Sequence, residues 1–232
     1  MSRHIIITGA SKGIGFETAI KLADEGHRIT AIARSENKLD GLSQNYPDQI
    51  STLTLDITNE NAVSEIENFL QSNQLKIDGL IHNAGVLVNK PFADQNRSNW
   101  TKQFEVNLMA PALLTAGLSN YFNSGAHVLT ISSMGGYQGS SKFPGLSAYS
   151  ATKGGLAILT ECMATELSRQ NIACNCLCLG AVQTEMLEQA FPGVEAPVSP
   201  EDMGEYIAQF ILNGHKYYNG QILPVTLGDP DS

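Results

Sequence analysis

Short apolar runs alternate with amphipathic stretches along the whole chain. His4–Thr8 is a β-branched run bounded by Gly9, followed by a helical period from about Gly13 to Glu25 that stops at Gly26. Arg28–Ala33 predicts a second strand, Glu36–Gln44 a second helix and Ile50–Leu55 a third strand. Within Asn61–Ser72, Val63, Ile66, Phe69 and Leu70 fall on one helical face. Ile77–Ile81 predicts a fourth strand, Ser98 to about Ser119 one long helix, and His127–Ser132 a fifth strand. A helix from about Ala148 to Arg169, a strand at Ile172–Leu179, a helix near Pro200–Leu212 and a strand at Gln221–Val225 complete the pattern.

Strands this uniformly apolar have no wet face, and helices intervene between them. The expected fold class is therefore α/β, a doubly wound parallel sheet with helices on both faces. Neither an internal repeat nor a linker-like stretch interrupts the alternation, so residues 1–232 are read as a single domain. The Pro/Gly-containing stretch Phe191–Pro200 reads as a loop. On such a sheet ligands sit outside the carboxyl ends of the strands, which directs attention to the residues just after each one.

Composition narrows the classes of function. The 232 residues are 42% hydrophobic and 16% charged, enough apolar matter for a sizeable core and against disorder. Fourteen basic against 23 acidic residues give a formal charge of −9, so the surplus that drives nucleic-acid binding is missing. The opening MSRHIIITGA is too short in apolar residues for a signal-peptide core. The longest mostly apolar run, Leu108–Leu118, is far below the ~20 residues that cross a bilayer. A soluble cytoplasmic protein without membrane contact is expected. Cys174, Cys176 and Cys178 alternate along a strand, which puts them on one face; the spacing suits small buried hydrophobes better than a metal site, and no metal is expected.

The candidate chemistry begins after the first strand. Thr8-Gly9-Ala10-Ser11-Lys12-Gly13-Ile14-Gly15 spans a strand end and a helix start. Glycines there permit a tight turn and let the backbone approach a pyrophosphate that sits on the helix amino end. The spacing GxxxGxG matches neither GxGxxG nor the Walker pattern. Further on stand Asn83-Ala84-Gly85 and Tyr149-Ser150-Ala151-Thr152-Lys153. Together, in this order and at these strand ends, the three segments resemble the short-chain dehydrogenase/reductase family of classical type, from His4 to about Gly228.

That resemblance implies a Rossmann-type fold and a nicotinamide dinucleotide held by Gly9, Ser11, Lys12, Gly13, Ile14 and Gly15. Asp56 resembles the family's adenine-contacting acid, with Ile57 beside it; Asn83 would brace the sheet, and Ala84 and Gly85 would admit the cofactor. Gly180, Val182 and Thr184 fall in the segment after the sixth strand, where Leu179 replaces the family's usual proline. His82 stands where the family most often has another Asn and is given no catalytic role. Members selective for NAD need an acid at the end of strand two to bond the ribose hydroxyls. Here that place is Ala33, followed by Arg34, with Lys12 as a second cation, so NADPH is expected over NADH.

Tyr149 and Lys153 are four apart on a predicted helix, so both lie on one face. A free phenol with a pKa of about 10 is a poor proton shuttle, and a neighbouring ammonium is expected to lower it toward the working range. The resemblance implies that Lys153 also binds the nicotinamide ribose. It further implies that Ser133, rather than the competing Ser132, bonds the substrate oxygen, and that Asn107 holds a water for a proton relay.

Tyr149 follows Ser133 by 16 positions, a few more than is usual in the family, so an enlarged loop within Tyr137–Leu146 is expected over the substrate. The substrate loops are placed at about 134–147 and 184–200, with Met134, Tyr137, Phe143 and Met186 as lining candidates. Val86, Leu87, Leu146 and Phe191 join them in a mostly apolar pocket. The expected activity is reduction of a small ketone or aldehyde to an alcohol. Two rivals stay open: a silent NADPH-binding regulator or scaffold, and an isomerase or lyase using bound cofactor. Small residues mark the two long helices, Ala110, Ala112, Ala116 and Gly117 on one and Gly154, Gly155, Ala157 and Ala164 on the other. In the family such helices form a four-helix interface, which implies a homodimer or homotetramer.

Overall fold

A computed structural model of the protein describes residues 2–227. The predicted domain limits at Met1 and Ser232, and Gly228 at the end of the family resemblance, lie outside the described residues. Seven parallel strands form one sheet in the order β3-β2-β1-β4-β5-β6-β7. They are β1 His4–Thr8, β2 Arg28–Ala33, β3 Ile50–Thr54, β4 Ile77–His82, β5 Phe122–Ser133, β6 Ala173–Leu179 and β7 Ile222–Val225. Chain order reverses between β1 and β4, which opens a crevice at their carboxyl ends.

Strand alternation divides the core. Ile5 and Ile7 of β1 face one side, against Leu22 of α1 (Gly13–Asp24), Leu39 of α2 (Glu36–Asn45) and Ile207 of α8 (Pro200–Asn213). Ile6 faces the other side, against Ile66 of α3 (Ala62–Ser72), Leu114 of α5 (Ala110–Gly117) and Met163 of α6 (Ser147–Leu167). Fully burying one such side chain is worth about 1.5–3 kcal/mol, so both layers hold the sheet firmly. Cys174, Cys176 and Cys178 are buried on β6 as expected, and no metal-holding cluster occurs among the described residues. No helix among the described residues is long and apolar enough to cross a membrane.

Two predicted elements need correction. The long helix expected from Ser98 is three pieces: α4 (Arg97–Phe104), a π-helical turn over Glu105–Met109, and α5. Pro111 has no N–H to give the carbonyl of Asn107, four residues back, so the regular ladder cannot run through. The apolar periodicity concealed that break. The segment 184–200, expected as loop, carries a short helix α7 (Glu185–Ala190), whose first turn is capped by the Thr184 hydroxyl accepting from Leu187 N at 3.3 Å.

Candidate active site

A cleft of about 1520 Å³ runs along the carboxyl ends of the strands. Single ligand pockets commonly measure about 300–1,000 Å³, so this one has room for a dinucleotide and a small second molecule. At the β1 end the backbone shapes it. Gly9 has φ +71°, and a Cβ there would stand 2.8 Å from the Ala84 Cα; only glycine lets the two strand ends meet. Asn83 fastens the junction, donating Nδ2 to the carbonyls of Thr8 at 3.0 Å and Gly9 at 3.1 Å. A Cβ on Gly15 would strike that same Asn83 amide, so Gly15 serves this close packing and does not line the cleft. Gly9, Ser11, Lys12, Gly13 and Ile14 line it, as do Asn83, Ala84 and Gly85. An open channel bordered by backbone at a glycine loop is the shape a pyrophosphate needs, and these residues fit a dinucleotide.

Across β2 and β3, Arg34, Asp56 and Ile57 border the cleft. Arg34 Nη1 lies 3.7 Å from Asp56 Oδ2. Burial tends to raise the Asp56 carboxyl, but the Thr58 N–H and hydroxyl, with Arg34, outweigh it and hold the group below its usual value. Lys12 does not stand free as a cation: it pairs with Glu185 of α7, which also reaches Lys38 at 3.7 Å. Lys38 and Glu185 are cleft-lining residues that sequence reasoning missed, and no motif marks either one.

On β5 and α6 the polar groups converge. Ser133 Oγ accepts from Gly135 N at 3.1 Å, which leaves its own hydroxyl proton for Tyr149, to which it is hydrogen-bonded. The Ser132 hydroxyl donates to the Lys153 carbonyl at 2.8 Å and is turned away from Tyr149. Lys153 Nζ donates to Ile131 O at 2.7 Å and lies 5.9 Å from the Tyr149 ring centre. Gly85 keeps this corner open, since a Cβ there would lie 3.4 Å from that Nζ.

The expected lowering of the phenol by Lys153 is not what the geometry produces. Burial pushes the Tyr149 phenol up to about 12, and the Ser133 hydrogen bond only partly opposes this. Burial also strips water from the Lys153 ammonium and brings it down to about 8. Tyr149 thus keeps its proton at neutral pH.

Asn107 sits in the π-turn, fully buried and outside the cleft lining. Its Oδ1 accepts from Val86 N at 2.8 Å, while Nδ2 donates to Val86 O at 2.9 Å and Thr152 Oγ1 at 3.1 Å. The side chain therefore ties the exit of β4 to α6. Gln103 adds a second tie by accepting from Val88 N at 3.0 Å. Thr152 and Gln103 were not singled out from sequence; both are ordinary helix polar residues until the fold buries them. His82 is also buried, Nε2 against Thr115 Oγ1 at 2.8 Å, and burial lowers it to about 3, so it stays neutral.

After β6, Gly180, Val182 and Thr184 border the cleft. Gly180 must lack a side chain, because a Cβ would come 2.6 Å from Thr226 Oγ1. Leu179, in the place of the usual proline, ends β6 in register with Val225. Met134, Phe143, Leu146, Met186 and Phe191 line the outer part with Val86 and Leu87. Tyr137 is a correction: it does not line the cleft but packs against Ala157, Cys176 and Cys178. The cap is stitched from three segments. Phe143 meets Phe191 edge-on at 6.4 Å, Lys90 N donates to Gly145 O at 3.0 Å, and Asn89 Nδ2 donates to Ala190 O at 2.8 Å.

Comparison with known proteins gives the family and the fold. A family profile described as short chain dehydrogenase matches residues 3–195. A 3-oxoacyl-acyl-carrier-protein reductase of Thermotoga maritima is 27% identical over 238 residues, covering 96% of each chain. L-Sorbose reductase from Gluconobacter frateurii, solved with NADPH and L-sorbose, superposes with a TM-score of 0.87 at 23% identity, over 100% of this chain and 97% of that one. A 4-hydroxyisoleucine dehydrogenase mutant, solved with NADH and succinate, gives 0.87 at 23% identity over 99% of both chains.

Proposed function

The chain belongs to the short chain dehydrogenase family, oxidoreductases that act on small molecules, and from that premise we propose an NADPH-dependent reductase of a small ketone or aldehyde. One observation carries the reading: Ser133, Tyr149 and Lys153 converge in the same cleft that the glycine loop opens.

When bound, the nicotinamide supplies the hydride; the chain's own residues supply orientation and the proton. Gly9, Ser11, Gly13 and Ile14 would hold the pyrophosphate side, with Gly15 supporting the loop from beneath and Lys12 turned toward the ribose phosphate. Asp56 and Ile57 would border the adenine, Arg34 the ribose phosphate, and Gly180, Val182 and Thr184 the nicotinamide amide. The carbonyl oxygen of the substrate is received by the Ser133 hydroxyl and the Tyr149 phenol. Tyr149, proton-loaded at neutral pH, gives that proton to the developing alkoxide. The Lys153 ammonium stabilises the phenolate left behind, and would also bind the nicotinamide ribose. Asn107 is a positioning residue that holds the β4 exit against α6 beside this group, where the family places its relay water. An apolar cap of Met134, Phe143, Met186 and Phe191 favours an uncharged substrate.

We also propose self-association into a homodimer or homotetramer. Of the small residues singled out in sequence, Gly155 and Gly117 serve packing inside the chain, since a Cβ on Gly155 would meet Leu108 and one on Gly117 would meet Val63, while Ala116 is exposed. The outward faces also expose Trp100, Phe104, Met109, Leu113 and Ile158, and α4 packs beside α6. Apolar surface of that kind fits an isologous contact. Light scattering at micromolar concentration should give two or four times the mass of one chain; a monomer mass removes the claim.

The catalytic assignment is tested with Tyr149→Phe, which removes the proton donor and little else. NADPH binding should persist while reduction falls about 10²–10⁴-fold, the usual worth of a positioned acid. Reduction at the native rate would make the assignment of Tyr149 wrong.

A further inference from the structure

The end of β2 is where a dinucleotide's adenosine ribose lies on a sheet of this kind, and a cation nearby accommodates a 2′-phosphate. Three cations border the cleft there: Lys12 from the glycine loop, Arg34 after β2, and Lys38 in the first turns of α2. All three already face a carboxylate: Arg34 lies 3.7 Å from Asp56, while Lys12 and Lys38 share Glu185. One Glu185 oxygen bonds Lys12 Nζ at 2.5 Å, and the other lies 3.7 Å from Lys38 Nζ. Glu185 comes from far along the chain, on α7, directly after Thr184.

Resting on the reading that this cleft takes a nicotinamide dinucleotide, we propose that Glu185 is a specificity-determining residue. Its carboxylate competes with the cofactor's 2′-phosphate for Lys12 and Lys38, and so restrains the pocket's preference for the phosphorylated form. The two lysines hold this carboxyl below its ordinary value, Lys12 by hydrogen bond and charge and Lys38 by charge, so it stays anionic through the neutral range. A phosphate arriving beside it meets like charge as well as occupied partners. NADH carries no charge at that position and displaces nothing. The side chains of Lys12 and Glu185 are about half exposed, at 47% and 57%, so the competition is of the kind that salt screens.

The test is the dissociation constant of NADPH and of NADH, read by nicotinamide fluorescence without any substrate, for the native protein and Glu185→Gln. The substitution should tighten NADPH about tenfold, the scale of one charge-assisted contact, and leave NADH unchanged. The gain should shrink in molar salt and vanish in a Lys12→Gln/Lys38→Gln background. If both nucleotides shift equally, if neither shifts, or if NADPH weakens, Glu185 does not compete with phosphate, and the reductase reading stands without it. Should the native protein bind neither nucleotide, the reading of the cleft fails and this proposal falls with it.

Discussion

The two halves of the cleft are built from different materials. Over β1 and β4 the walls are backbone: Gly9 against Ala84, locked by the Asn83 amide onto two carbonyls. Over β5 and β6 the walls are side chains carried on long connections, Phe143 edge-on to Phe191, with Asn89 of the β4 exit reaching across to the Ala190 carbonyl. A wall made of backbone tolerates one residue type at each contact, so its sequence is constrained and readable. A wall made of apolar side chains tolerates exchange, so the same construction leaves a weaker trace.

Substitution should expose that contrast. Among effects on cofactor binding, the largest is expected from Gly9→Ala, whose new Cβ meets the Ala84 backbone at 2.8 Å from a left-handed φ of +71°. Strain of this kind costs about 1–3 kcal/mol, and NADPH affinity should fall at least about tenfold as the two strand ends part. Thermal melting and nucleotide titration check both. A native affinity in this variant would mean that the junction does not shape the cofactor wall.

The meeting point of the two halves is tested by pH. Lys153, brought down to about 8, carries its charge below that value and loses it above. Reduction at saturating NADPH should therefore hold level up to about pH 8 and fall beyond it. A profile flat well into alkaline pH would mean that the ammonium is not needed.

The smallest effect belongs to the cap. Phe143→Ala removes one edge-on ring contact, worth about 0.5–1.5 kcal/mol, and should raise KM for the carbonyl compound about two- to tenfold. The NADPH dissociation constant should not move. If it moved as far as KM, the two halves would not be separable.

The same contrast explains what was legible in sequence. Strand positions, the parallel sheet and the glycine loop follow from β-branched runs and from glycines whose neighbours leave no room for a Cβ. Tyr149 and Lys153 were singled out because their segment resembles the family's motif, and helical spacing puts both on one face. The π-turn at Asn107 was hidden by apolar periodicity that continues past Pro111, although that proline was the available signal. Tyr137 was misplaced because a loop residue carries no facing information, and its ring packs against Cys176 and Cys178 of β6. The direction of the Tyr149 shift depends on burial and on where Lys153 Nζ points, neither of which spacing encodes. Glu185 and Lys38 are far apart in sequence, and only the fold brings them to Lys12.

The central claim is that this cleft couples a bound NADPH to a proton held on Tyr149. The most direct measurement follows nicotinamide absorbance while the purified protein and NADPH meet a panel of uncharged ketones and aldehydes. The account predicts stoichiometric oxidation, one alcohol formed for each NADPH consumed, with apolar carbonyl compounds ahead of phosphorylated ones. Tight binding of NADPH with no consumption across the panel would contradict it, and would instead fit a protein that senses the cofactor without turning it over.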